Sequence, residues 1–176
     1  MRVLVAYASR HHSTAAMAEA IAEALRAHGG GAIEYVEVVP VDDVDDVGGY
    51  GAVVIGSAVY SGRWLPSARA FVLDNVEALR SRPGWLFSTG PIGDPPAPLE
   101  EAVDLAELAD LVDAQGARTF PGRLRHADLE IWEQVAVRAV HSADGDYRDW
   151  DAVRAWAEQA ASTLDGSDAS ARSPSG

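Results

Sequence analysis

Three hydroxyl residues, Ser9, Ser13 and Thr14, fall close together near the N-terminus, with Arg10, His11 and His12 between them. They follow the apolar run Val3-Leu4-Val5-Ala6-Tyr7 and precede Ala15-Ala16-Met17-Ala18-Glu19-Ala20-Ile21. The order reads as a buried strand, a polar turn and a helix. The first turn of a helix presents backbone N–H groups with no acceptor inside the helix, and the aligned peptide dipoles add partial positive charge there. Hydroxyls and an arginine beside such a turn can hold an anion, phosphate above all. Taken singly, Ser13 also reads as an N-cap and Arg10 as a surface charge. Their joint position at the end of the first strand points to phosphate. Adjacent side chains such as His11 and His12 are poorly placed to grip one ion together, so no metal site is expected.

Two later stretches have the same character. Ser57-Ala58-Val59-Tyr60-Ser61-Gly62, continuing to Arg63 and Trp64, follows the apolar run Gly51–Gly56 and reads as a loop. Thr89-Gly90-Pro91-Ile92-Gly93, continuing to Pro98, follows the strand expected at Gly84–Ser88. Small residues at such places let a flat ligand approach the backbone closely.

The elements that must position these stretches alternate along the chain. Strands are expected at Arg2–Tyr7, Ile33–Val39, Gly51–Gly56, Gly84–Ser88 and Ala117–Phe120. Helices are expected after the N-cap Ser13, stopped by His28-Gly29-Gly30-Gly31, then at Leu65–Leu79, Leu99–Ala114, Leu129–Val140 and Trp150–Leu164. Asp42–Val47 reads as a solvated turn or a one-turn helix. Asp149 reads as an N-cap, and Trp132, Trp150 and Trp156 as core or interface residues. Strands alternating with helices imply an α/β fold with a doubly wound, five-stranded parallel sheet, whose ligand lies at the carboxyl ends of the strands. One domain is expected over residues 1–164. The Ser/Asp/Ala-rich residues 165–176 are expected to form a disordered tail.

Composition removes several function classes. The net charge is −13, which disfavours nucleic acid and anionic membrane surfaces as partners. All 14 Lys+Arg residues are arginine, so a phosphate loop of the Gly-Lys-Ser/Thr kind and a catalytic lysine are excluded. Cysteine is absent, which removes thiolate catalysis and zinc–thiolate sites. Ala8-Ser9-Arg10-His11-His12-Ser13 contains no glycine, so the dinucleotide fingerprint is missing. Gly56-Ser57-Ala58 and Ser88-Thr89-Gly90 do not form a nucleophile elbow. Tyr7-Ala8 and Pro121-Gly122 lack the acid pair and lysine of a phospho-receiver. No apolar run reaches membrane-spanning length and no signal-peptide pattern opens the chain, so a cytoplasmic protein without an integral membrane segment is expected. A mononucleotide held without lysine or metal remains.

Ser9-Arg10-His11-His12-Ser13-Thr14 resembles the phosphate turn of flavodoxin-like proteins, which bind FMN. Four stretches together resemble more closely the branch of that family containing menaquinone-dependent protoporphyrinogen dehydrogenases. They are Tyr7-Ala8-Ser9-Arg10 with Ser13-Thr14, Gly56-Ser57-Ala58-Val59-Tyr60-Ser61-Gly62-Arg63, Phe120-Pro121-Gly122-Arg123-Leu124-Arg125, and Asp146-Tyr147-Arg148-Asp149-Trp150. Residues between Arg123 and Asp146 would match that branch's extra segment. The resemblance implies a flavodoxin-like strand order of 2-1-3-4-5 and FMN as cofactor. Ser9 to Thr14 would hold the phosphate. Ser57 to Gly62 would line one side of the isoalloxazine, with Tyr60, Arg63 or Trp64 covering it. Ser88, Thr89, Gly90, Pro91, Ile92 and Gly93 would line the other side.

One departure from the family pattern falls at His12, where the turn usually has glycine; histidine must then adopt a backbone conformation that costs it energy. The activity implied is FMN-dependent oxidoreduction or electron transfer with no catalytic acid or nucleophile. Its partners would be a redox protein, or a quinone or porphyrinogen-like substrate, and a homodimer is allowed. A simple electron carrier, and an interaction module that no longer binds flavin, are the alternatives.

Overall fold

The computed structural model describes residues 1–10, 12–90, 102–124 and 145–172. The expected helix Leu129–Val140, the start of the helix at Leu99, and residues His11, Pro91, Ile92 and Gly93 lie outside these.

The chain opens with β1 (Arg2–Ala8) and α1 (Ser13–His28). There follow β2 (Tyr35–Pro40), a one-turn 3-10 helix (Val41–Asp43), β3 (Ala52–Tyr60) and β4 (Arg63–Trp64). Next come α2 (Pro66–Asp74), α3 (Val76–Arg80), β5 (Gly84–Gly90), α4 (Leu105–Leu111) and β6 (Gly116–Pro121). A small ribbon of β7 (Arg123–Leu124) and β8 (Gly145–Asp146) precedes the closing helix α5 (Trp150–Arg172).

The long strands run β2-β1-β3-β5-β6, all parallel. Without the two-residue β4, which pairs antiparallel with the end of β3, this is the expected order 2-1-3-4-5. β1 lies inside the sheet, with Val5 paired to Val38 on one side and Val54 on the other. Its side chains alternate between two cores, as a strand covered on both faces requires. Val3 and Val5 pack with α1 and α5; Leu4, Ala6 and Ala8 pack with α2 and α4. In the first core Phe87, Phe120 and Trp156 meet edge to face, with ring centroids 5.7–6.5 Å apart. Gly56 makes room for Phe87: a Cβ there would come within 2.0 Å of the ring.

Several elements differ from the sequence reading. Ser57–Trp64 is a β-hairpin, not a loop. β3 continues to Tyr60 and the chain reverses over Ser61 and Gly62, at φ 51° and 75°. Positive φ at both central residues is what a two-residue hairpin with native twist demands. The helix expected at Leu65–Leu79 is two helices. Asn75 breaks it at φ −117°, its side-chain amide donating to the Phe71 carbonyl at 2.9 Å. β2 starts at Tyr35 rather than Ile33, and β5 takes in Thr89 and Gly90. Over the described residues α4 covers only Leu105–Leu111. The last helix runs past Leu164 to Arg172, into the segment expected to be a disordered tail.

Asp149 caps α5 as read, its Oδ1 accepting the Ala152 N–H at 2.9 Å. Among the described residues no helix is long and apolar enough to cross a membrane, and no group of three or more His, Asp or Glu side chains is placed to hold a metal ion.

Candidate functional site

The turn from β1 into α1 lies at the carboxyl edge of the sheet. Its decisive residue is His12, which takes φ 59° and ψ −2°, the left-handed conformation that glycine adopts most readily. His12 is the residue before the helix, so Ser13 is the first helical residue rather than the cap, and His12 gives no side-chain cap. The first helical bond runs from the Ala16 N–H to the His12 carbonyl at 3.1 Å. The N–H groups of Ser13, Thr14 and Ala15 precede that ladder and face the end of the helix. A left-handed residue followed by such N–H groups is an anion cradle in backbone form.

Side chains divide between the cradle and the fold. Ser9 is half-buried and Arg10 exposed; both line a cavity of about 410 Å³ together with Tyr7, His12, Asp42 and Ser67. The Arg10 guanidinium lies 5.0 Å from the centre of the Tyr60 ring, linking the turn to the hairpin. Thr14 is turned inward: its hydroxyl is buried and lies 2.7 Å from that of Thr89, tying the start of α1 to the end of β5. The Ser13 hydroxyl accepts the Arg123 N–H at 3.2 Å.

The hairpin and the end of β5 form the second part of the site. Ser57 and Ser88 are buried. Ser57 Oγ donates to the Ala58 carbonyl and accepts the Leu65 N–H. Ser88 Oγ accepts the Trp64 indole N–H at 2.7 Å. These hydroxyls therefore brace the hairpin from below. Trp64 is buried with them, which leaves half-buried Tyr60 and exposed Arg63 at the surface of the three residues suggested to cover a ring. Ala58 and Val59 are half-buried, and Ser61 and Gly62 form the exposed tip. Gly90 closes β5, with Gly122 donating to its carbonyl at 2.7 Å.

Two further supports hold the site, and the first carries no obvious sign in the sequence. Asp104 is 1 % exposed; its Oδ1 accepts the Trp64 backbone N–H and its Oδ2 the Arg69 guanidinium, both at 3.2 Å. Beside it, the Val103 N–H donates to the Gly62 carbonyl at 2.8 Å. The segment Val103–Asp104 is thus fastened to the hairpin. The second support is the ribbon of β7 and β8, whose first residue, Arg123, donates its N–H to Ser13 at the start of α1. There Arg148 pairs with Asp146, and its hydrogen bond holds the Asp146 carboxyl below the usual carboxylate range.

Residues 4–151 match the family described as Flavodoxin domain. The chain belongs to the flavodoxin-domain family. Solved flavodoxins share its fold at low identity. One from the domain Archaea superposes with a TM-score of 0.62 at 18 % identity, covering 93 % of this chain and 99 % of the other. The flavodoxin of Megasphaera elsdenii gives 0.59 at 20 % identity, covering 91 % and 98 %. The rubredoxin oxygen:oxidoreductase of Desulfovibrio gigas gives 0.62 at 20 % identity, covering 94 % of this chain but only 36 % of the larger protein. No match is found among curated proteins.

Membership of the flavodoxin-domain family implies FMN as the cofactor. The residues present fit its phosphate end. The turn reaches the left-handed conformation without glycine, and the N–H groups at the start of α1 stand ahead of the helical ladder.

Proposed function

We propose that this flavodoxin domain is an FMN-dependent electron-transfer protein, its flavin phosphate held by Ser9 to Thr14 and its ring lined by Ser57 to Gly62 and Ser88 to Gly93. The left-handed His12 at the mouth of α1 carries the reading. A residue type disfavoured in that conformation holds it at the point where the backbone must turn its N–H groups toward an anion. Bound FMN supplies the redox chemistry. The chain's own residues bind and orient it. The N–H groups of Ser13 to Ala15 meet the phosphate. Arg10 brings a positive charge between the turn and Tyr60. The braced hairpin presents Tyr60 without needing a mobile element.

The test is a visible spectrum of the purified protein before and after FMN is added, with flavin fluorescence followed in parallel. A yellow protein, or quenching that saturates at one flavin per chain, is expected. A colourless protein that quenches no flavin overturns the proposal and leaves an interaction module.

The net charge of −13 allows a second expectation. The field of a net negative chain opposes the addition of electrons, so the bound flavin's midpoint potential should lie below that of free FMN. A reductive titration giving a potential at or above the free value contradicts this.

A second reading makes the chain an enzyme acting on a quinone or a porphyrinogen-like substrate. The observation favouring it is the ribbon of β7 and β8, an addition to the five-stranded alternation that springs from the phosphate turn and brackets residues 125–144. Turnover of protoporphyrinogen with a menaquinone analogue, by FMN-loaded protein, separates this reading from a simple carrier.

A further inference from the structure

We propose that Gly122 and Arg123 form a strap that aims the Ser13 hydroxyl at the flavin phosphate, and that this strap governs discrimination between FMN and riboflavin. The proposal rests on the FMN reading. After β6 the main chain crosses the carboxyl edge of the sheet, from the end of β5 to the start of α1. The Gly122 N–H donates to the Gly90 carbonyl at 2.7 Å, and the next N–H, of Arg123, donates to Ser13 Oγ. The Tyr147 N–H donates to the Gly122 carbonyl at 3.2 Å and fixes the strap from its outer side. The crossing is close. A Cβ on Gly122 would stand 2.9 Å from the Gly90 carbonyl oxygen and 3.8 Å from Ser13 Oγ. Only glycine fits there without displacing the strap.

The consequence lies in hydroxyl chemistry. A serine hydroxyl has one proton to give and two lone pairs. Once the Arg123 N–H occupies a lone pair, Ser13 Oγ is held as an acceptor from that side and its single proton points elsewhere. Ser13 is the first residue of α1, where the N–H groups of Ser13 to Ala15 converge. An anion seated there accepts the proton in a charge-assisted bond, stronger than one between neutral groups. Riboflavin has no phosphate and gains nothing from it. The strap therefore acts on the phosphate end alone. Arg123 is a positioning residue through its backbone, whatever its side chain contributes.

The experiment measures dissociation constants for FMN and riboflavin by flavin fluorescence quenching, on the full chain and on four variants. Ser13→Ala and Arg123→Pro should each weaken FMN by roughly tenfold and leave riboflavin unchanged. Arg123→Ala keeps the N–H and should retain the wild-type ratio of the two affinities. Gly122→Ala displaces the strap by a different route and should lower the same ratio, which keeps the test open where the proline variant does not fold. An Arg123→Pro protein with the wild-type ratio overturns the strap, and so does an Arg123→Ala protein that loses as much discrimination as Arg123→Pro. A wild-type chain that binds neither flavin overturns the FMN reading itself and the strap with it.

Discussion

Replacing Asp104 with alanine should lower the unfolding free energy by roughly 3 kcal/mol, and weaken FMN and riboflavin to the same degree. The carboxylate is buried and serves two donors of different kinds, the Trp64 backbone N–H and the Arg69 guanidinium. Alanine strands the buried Trp64 N–H and leaves the Arg69 guanidinium to water. Trp64 is the last residue of the hairpin, and its indole N–H is engaged with Ser88, so a shift of its backbone is passed to the end of β5. Both candidate ring walls then lose a common anchor, while the phosphate turn is untouched. That is why both flavins should suffer equally, in contrast to the strap variants. Asp104→Asn keeps an oxygen for the Trp64 N–H but sets an amide against the arginine, and should fall between wild type and alanine. Arg69→Ala should also cost roughly 2–3 kcal/mol, because it removes the cation paired with a carboxylate that is itself 1 % exposed. Urea unfolding with an unchanged slope checks the energies. An alanine variant with wild-type stability would mean that the carboxylate does not hold the hairpin.

The role of Asp104 is hidden in the sequence by its surroundings. Asp104 sits in an acidic stretch with Glu100, Glu101, Glu107 and Asp110, and such stretches are usually solvated faces. Its spacing was the available signal. It lies four residues before Leu108, at the N-terminal flank of α4, and is buried with Leu105, Leu108 and Val112. A buried carboxylate that does not cap its own helix has to find donors from another element. Which element does so is long-range information, and here it is a backbone N–H forty positions earlier.

The sheet was legible for the opposite reason. Val3 to Ala6, Val53 to Ile55 and Leu86 to Phe87 are apolar runs buried on both faces, and a parallel sheet needs nothing else to declare its inner strands. The hairpin was missed although Val59-Tyr60-Ser61-Gly62-Arg63-Trp64 carries its pattern, β-forming residues on either side of two turn residues. A ligand-lining loop and a hairpin tip have the same composition. Only the pairing of Val59 with Trp64 and Tyr60 with Arg63 tells them apart, and that pairing buries Trp64 instead of leaving it to cover a ring. In the turn from β1 into α1 the division of labour among the hydroxyls is not visible in the sequence. Thr14 and Ser13 look alike in sequence, yet one hydroxyl is tied to Thr89 inside the sheet and the other to the strap.

The conformation of His12 leads to the second large effect. A non-glycine residue in the left-handed region costs about 1–2 kcal/mol, and histidine is among the residues that bear it most readily. His12→Gly removes that cost but enlarges the freedom of the unfolded chain, which returns about 0.4–1 kcal/mol. The net gain should be about 0.5–1 kcal/mol, visible as a rise of about 2–3 °C in Tm. FMN affinity should be at least as high as in the wild type, because the backbone that forms the cradle is unchanged. His12→Val should do the reverse. A β-branched side chain is far more strained at φ 59°, so the turn gives up the conformation that aligns the His12 carbonyl with the Ala16 N–H. The N–H groups of Ser13 to Ala15 then lose their common direction, and FMN affinity should fall by roughly a hundredfold while riboflavin changes little. His12→Asn, which tolerates the left-handed region, should behave as the wild type. The ordering Gly, then Asn and His together, then Val identifies the backbone as the ligand. Should His12→Gly instead lose FMN as severely as His12→Val, the imidazole itself would be the phosphate ligand, and the strain at this position would be the cost of placing it.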